Sequence, residues 1–110
     1  MSKDDKKPNW ELGVGVKDRA KSKSKTKKPR MYKVLIHNDD YTTMEFVVHV
    51  LTEIFRHNRT MATQIMLHVH TKGVGVCGTY THDIAETKVA KVRASAENAG
   101  MPLKCTMEPQ

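Results

Sequence analysis

Asn38, Asp39 and Asp40 stand in a row between an apolar run and a pair of threonines. One amide and two carboxylates so close together offer several acceptor oxygens. Their natural target is a compact cation, an ammonium above all, because a hydrogen bond with a charged partner is about twice as strong as a neutral one. The same three residues are also ordinary turn and helix-start residues, and their types alone leave both readings open. His68 and His70 follow later in the chain. Two positions apart on a helix, their rings point about 200° from each other, which does not suit a shared metal ion. The six histidines form no HExxH pattern, and Cys77 and Cys105 form no CxxC. His70 could instead face the Asn38–Asp40 turn and hold one hydrogen bond there, or stand in water at a helix C-terminus, favoured by the dipole. Met44, Val47, Met66 and Val69 serve either as core or as an adaptable apolar wall around an inserted side chain. The chain has no nucleophile elbow and no glycine-rich phosphate loop. Neither a catalytic residue nor a metal or cofactor is expected. From its residue types the chain reads as a binding module, not an enzyme.

The elements that must position these groups are legible from periodicity. Tyr32 to His37 is β-branched and apolar, a strand, broken by the Asn38–Tyr41 turn. Thr42-Thr43-Met44-Glu45 reads as a capping box, with Thr42 as cap and Glu45 reaching back. Val47, Val50, Leu51, Ile54 and Phe55 then form one helical stripe, ended by His57-Asn58-Arg59. Asn58 can cap a second helix with Met61, Ala62, Ile65, Met66 and Val69 inward, stopped by Gly73. Val74 to Tyr80 is a strand weakened by glycines. Thr81 can cap a third helix, with Asp83 in its first turn and Ile84, Ala85, Val89, Val92 and Ala96 buried, ended by Gly100 and Pro102. Leu103, Cys105 and Met107 alternate with polar residues in a last strand. The expected fold is α+β, a β-α-α-β-α-β two-layer sandwich with a three-stranded sheet packed against three helices.

Charge divides the chain. Residues 1–30 hold 11 basic and 4 acidic side chains, so the whole net charge of +7 lies there, and residues 31–110 are neutral. The first thirty residues hold few large apolar groups beyond Trp10, Leu12, Val14 and Val16, so they are expected to be a disordered basic extension, with one domain over 31–110. With 38% hydrophobic residues in 110, the core must be small. A basic tail opens a second function class, nucleic-acid binding by counterion displacement. The neutral domain without an aromatic stacking platform favours a flexible, solubilising leader instead. The charged start has no apolar segment behind it, and two widely spaced cysteines suggest inert thiols in a reducing compartment. A cytoplasmic protein with no membrane partner is expected.

The stretch Tyr32-Lys33-Val34-Leu35-Ile36-His37-Asn38-Asp39-Asp40-Tyr41-Thr42-Thr43-Met44-Glu45-Phe46-Val47 resembles the opening of the ClpS family, the bacterial adaptors of the Clp protease. The likeness continues through Ala62 to His70, Cys77-Gly78, Ala85 to Ala90 and Pro102 to Thr106, about 80 residues in all. The resemblance implies a monomeric adaptor without cofactor. It would recognise proteins whose N-terminal residue is Leu, Phe, Tyr or Trp, the bacterial N-end rule, and pass them to the N-terminal domain of the ClpA unfoldase for degradation by ClpP. It implies that Asn38, Asp40 and His70, with Asp39 beside them, hold the substrate α-ammonium. Met44, Val47, Met66, Val69 and Leu103 would line the side-chain pocket, with Thr42 at its rim. Asp83, Glu86 and Lys88 would face the unfoldase. Thr43 stands where the family pattern has proline, which is expected to loosen the helix start and the Asp40–Met44 geometry.

Overall fold

The computed structural model describes residues 28–110. Of the basic extension expected over 1–30, all but the last three residues lie outside them. Strand β1 (Met31–His37) is followed by helices α1 (Met44–Glu53) and α2 (Arg59–Lys72), strand β2 (Val74–Thr81), helix α3 (His82–Ala99) and strand β3 (Lys104–Pro109). The order is the β-α-α-β-α-β read from the sequence. The sheet runs β2-β1-β3, antiparallel on both sides of the central β1. Met31 pairs with Thr81 at one end of β1, and His37 pairs with Val74 and Lys104 at the other. Helices α2 and α3 lie against the strands and α1 packs on α2. Val34 and Ile36 of β1, Cys77, Cys105, Val50, Leu51, Ala62, Ala85 and Val92 form the closed centre of the core.

The helix boundaries follow local chemistry. Asn58 caps α2, its side-chain oxygen accepting from the Met61 N–H at 2.8 Å. Gly73 (φ 92°) and Gly100 (φ 70°) close α2 and α3 in the left-handed region that glycine enters without cost. α1 ends differently. Arg56 takes φ 63°, at about 1–2 kcal/mol for a residue with a Cβ, and the His57 N–H reaches the Leu51 carbonyl at 3.1 Å.

Two expectations, the cap of α1 and the burial of Ile84 and Met61, need correction. The cap of α1 is Thr43, not Thr42: the Thr43 hydroxyl accepts from the Phe46 N–H at 3.1 Å. Thr42 belongs to the preceding turn, where its N–H and its hydroxyl both donate to Asp39, at 2.7 and 2.6 Å. Thr43 therefore anchors the helix start. Thr81 is the cap of α3 as expected, though without a side-chain hydrogen bond. Ile84 and Met61 are exposed, since the apolar faces of α3 and α2 turn past them. Phe55 is buried as expected but lies beyond the last turn of α1, folded inward after the helix ends.

Candidate functional site

The turn after β1, the first turn of α1 and the last turns of α2 meet around one hollow of about 220 Å³. Its lining is Asn38, Asp39, Asp40, Thr42, Met44, Val47, Met66, Val69 and His70. Polar groups from the turn and His70 face apolar side chains from the two helices. The Asn38 N–H donates to the Gly73 carbonyl at 2.8 Å, which ties the turn to the end of α2 and brings His70 beside it. Gly75 allows the close packing behind the pocket. A Cβ there would stand 2.6 Å from the Val69 Cγ2, so the bare backbone of β2 lets α2 come near.

The two aspartates differ. Asp39 is engaged inside the turn: one carboxylate oxygen accepts from the N–H groups of Tyr41 at 2.8 Å and Thr42 at 2.7 Å, the other from the Thr42 hydroxyl. Partial burial pushes its carboxyl up, but these donors outweigh that and hold it below the usual carboxylate range. Asp40 is exposed and bonds to no other described side chain or backbone group. Among the described residues it is thus the lining carboxylate with unengaged acceptors. Met44 is 45% exposed at the rim, while Val69 is 2% exposed at the base.

The structure does not bring every expected residue here. Leu103 is absent from the lining. It is 6% exposed and packs in the core ahead of β3, because the alternation that starts β3 turns it toward the helices. His68 lies in a separate groove with Met61, Gln64, Ile65 and Val76, apart from His70 as their helical spacing requires. Asp83 and Glu86 are exposed on α3, with His82 beside them. These three bring potential ligand atoms within 4.8 Å, and among the described residues no such group includes His68 or His70. Lys88 is half-buried and its ammonium donates to the Ile54 carbonyl at 2.6 Å. Sequence reasoning missed that contact, although a signal was present: Lys88 falls on the same helical stripe as Ala85, Val89 and Val92. A larger groove of about 570 Å³ between α1 and α2 shares Met44 and Met66 with the hollow. It is open and lined by Glu45, Glu53, Arg59 and His49 among others, so it lacks the closed apolar wall.

Residues 27–106 match the family described as ATP-dependent Clp protease adaptor protein ClpS. The chain belongs to the ClpS family. The ClpS adapter protein of Parvibaculum lavamentivorans is 55% identical over 108 residues, covering 98% of each chain. That of Rhodospirillum centenum is 62% identical over 88 residues, covering 80% of this chain and 82% of its own. Among solved structures, Agrobacterium tumefaciens ClpS2 bound to L-phenylalaninamide superposes with a TM-score of 0.73 at 40% identity, covering 76% of this chain and all of that one. ClpS proteins are adaptors of the Clp protease and not enzymes. No helix among the described residues is long and apolar enough to cross a membrane.

Proposed function

We propose that this ClpS domain grips the first residue of a protein substrate, reading its free α-ammonium and its large apolar side chain together. Asn38, Asp40 and His70 would receive the ammonium, with Asp39 bracing the turn that presents them. Met44, Val47, Met66 and Val69 would enclose the side chain, and Thr42 would sit at the rim. The observation that carries this reading is the union, in one hollow of about 220 Å³, of a free carboxylate at the mouth and an apolar wall behind it. That volume lies below the roughly 300–1,000 Å³ of sites for drug-sized ligands, and so suits a single side chain.

The energetics require both halves. A hydrogen bond to a charged group is worth about 1.5–3 kcal/mol, and burial of a Leu or Phe side chain about 1.5–3 kcal/mol. Either is small against the cost of association, about 4 kcal/mol or more. An internal residue lacks the ammonium and a small terminal residue lacks the apolar area. The phenylalaninamide of the Agrobacterium ClpS2 structure combines a free amine with an aromatic side chain, the chemistry expected here. Substrates starting with Leu, Phe, Tyr or Trp would then be handed to a ClpA-type unfoldase and ClpP, with exposed Asp83 and Glu86 of α3 on the unfoldase-facing side. The test is a fluorescence-anisotropy titration of four peptides differing only in that first residue, each free and N-acetylated. Binding of the free peptides and its loss on acetylation is expected. Equal binding of the acetylated forms would overturn the reading. The basic extension supports a second reading, nucleic-acid binding, which the same protein tests by salt-dependent RNA binding.

A further inference from the structure

Lys88 turns inward from α3, as Arg93 does further along, where it donates to the Cys105 carbonyl at 3.2 Å. Asp83, Glu86 and Lys91 are exposed. The Lys88 ammonium turns inward, donating to the Ile54 carbonyl at 2.6 Å and lying 5.5 Å from the Tyr80 ring centroid and 6.0 Å from that of Phe55. The two rings are themselves neighbours, 6.3 Å apart. A cation over aromatic faces is attracted by their quadrupoles. Burial lowers the pKa of Lys88, and the nearby Lys91 and Arg56 add to this. The contact is therefore formed in spite of desolvation and like charge.

Its partner is the end of a particular helix. Ile54 is the C-cap of α1, where unpaired carbonyls and the negative end of the dipole gather. The next turn has no glycine and relies on Arg56 at positive φ. The other end of α1 carries Met44 and Val47, both on the lining of the hollow. Ten helical residues place the two ends about 15 Å apart. Because α1 packs on α2 while α2 and α3 lie on the sheet, a tie from α3 to the end of α1 constrains the whole rod.

We propose that Lys88 is a positioning residue for the pocket: it anchors the C-terminal end of α1 to α3 and β2, and so fixes where the first turn of α1 holds Met44 and Val47. The inference rests on the pocket reading above.

The experiment uses the full chain with methyl-labelled methionine, and compares Lys88→Met, Lys88→Leu, Lys88→Arg and Asp40→Ala. Lys88→Met keeps the apolar stem and removes the donor, and Lys88→Leu, which also has no donor, serves if that variant does not fold. Lys88→Arg keeps a donor and a planar cation for the rings. The expected result is a 3- to 10-fold weaker affinity for a Leu-initiated peptide in Lys88→Met, a shifted Met44 methyl resonance, and recovery to within 2-fold in Lys88→Arg. A merely local role would move only signals beside Ile54. Affinity within 2-fold of wild type with the Met44 methyl unmoved overturns the proposal. Asp40→Ala keeps the two ideas apart: loss of binding there beside a wild-type-like Lys88→Met removes Lys88 alone, whereas unimpaired Asp40→Ala removes the pocket reading itself.

Discussion

Asp40→Ala is expected to weaken binding of a Leu-initiated peptide without weakening the fold. The side chain is exposed and holds no other described group, so its removal should change unfolding free energy by no more than about 0.5 kcal/mol. With peptide bound, it would accept a charge-assisted hydrogen bond worth about 1.5–3 kcal/mol, and each 1.4 kcal/mol is tenfold in affinity. The dissociation constant should therefore rise about 10- to 150-fold. Asp39→Ala supplies the contrast. It removes an acceptor for two backbone N–H groups and one hydroxyl, and should cost about 1–2 kcal/mol of stability, like loss of a helix cap, besides impairing the turn that carries Asp40. Anisotropy titrations and urea denaturation on the same three proteins measure both quantities. If Asp40→Ala binds within 2-fold of wild type, or loses as much stability as Asp39→Ala, the assignment of free acceptor and structural brace is wrong.

Three further outcomes follow. Because the folded-state pKa of Asp39 is lowered, its contribution is present above the unfolded carboxyl pKa and is lost as pH falls through the folded one; Asp39→Asn should flatten the acid limb of stability relative to wild type, measured by urea midpoints from pH 6 to pH 2. Gly75→Ala should destabilise by about 1–3 kcal/mol, the cost of overpacking, and weaken peptide binding, since the new methyl meets Val69 at the base of the pocket; thermal melts and titrations read both effects. Burial raises both thiols, Cys105 to about 11 and Cys77 further, and both are buried and free, so a thiolate-directed reagent at pH 8 should leave the native protein unmodified and label two groups in urea.

The backbone plan was legible because each boundary carried its own chemistry. Asn58, Gly73 and Gly100 act where residue type alone placed them. What local reading could not weigh was competition. Two adjacent threonines could each cap α1, and the choice fell to Thr43 because Asp39 captures Thr42. Periodicity assigned Ile84 and Met61 to buried faces, but it cannot tell where a neighbouring element ends, and both stand in water. For the candidate site, the polar row, His70 and the methionines were visible as residue types. That Asp39 and Asp40 divide their roles was not, because the division depends on which carboxylate the turn folds around. Leu103 sits on the pattern of the last strand, yet the sheet carries it into the core and off the pocket lining.

The placement of β1 in the middle of the sheet has a spatial outcome for traffic around the domain. Its seven residues span about 23 Å. At one pole the Asn38–Asp40 bend opens the hollow; at the other, Met31 lies beside Thr81 and the start of α3. Pro29 and Arg30, which lead into β1, thus stand on the far side from the mouth, in the same neighbourhood as His82 and Asp83. Under the proposed reading, a cargo chain leaving the hollow and an unfoldase engaging Asp83 would approach from different directions, and neither would block the other.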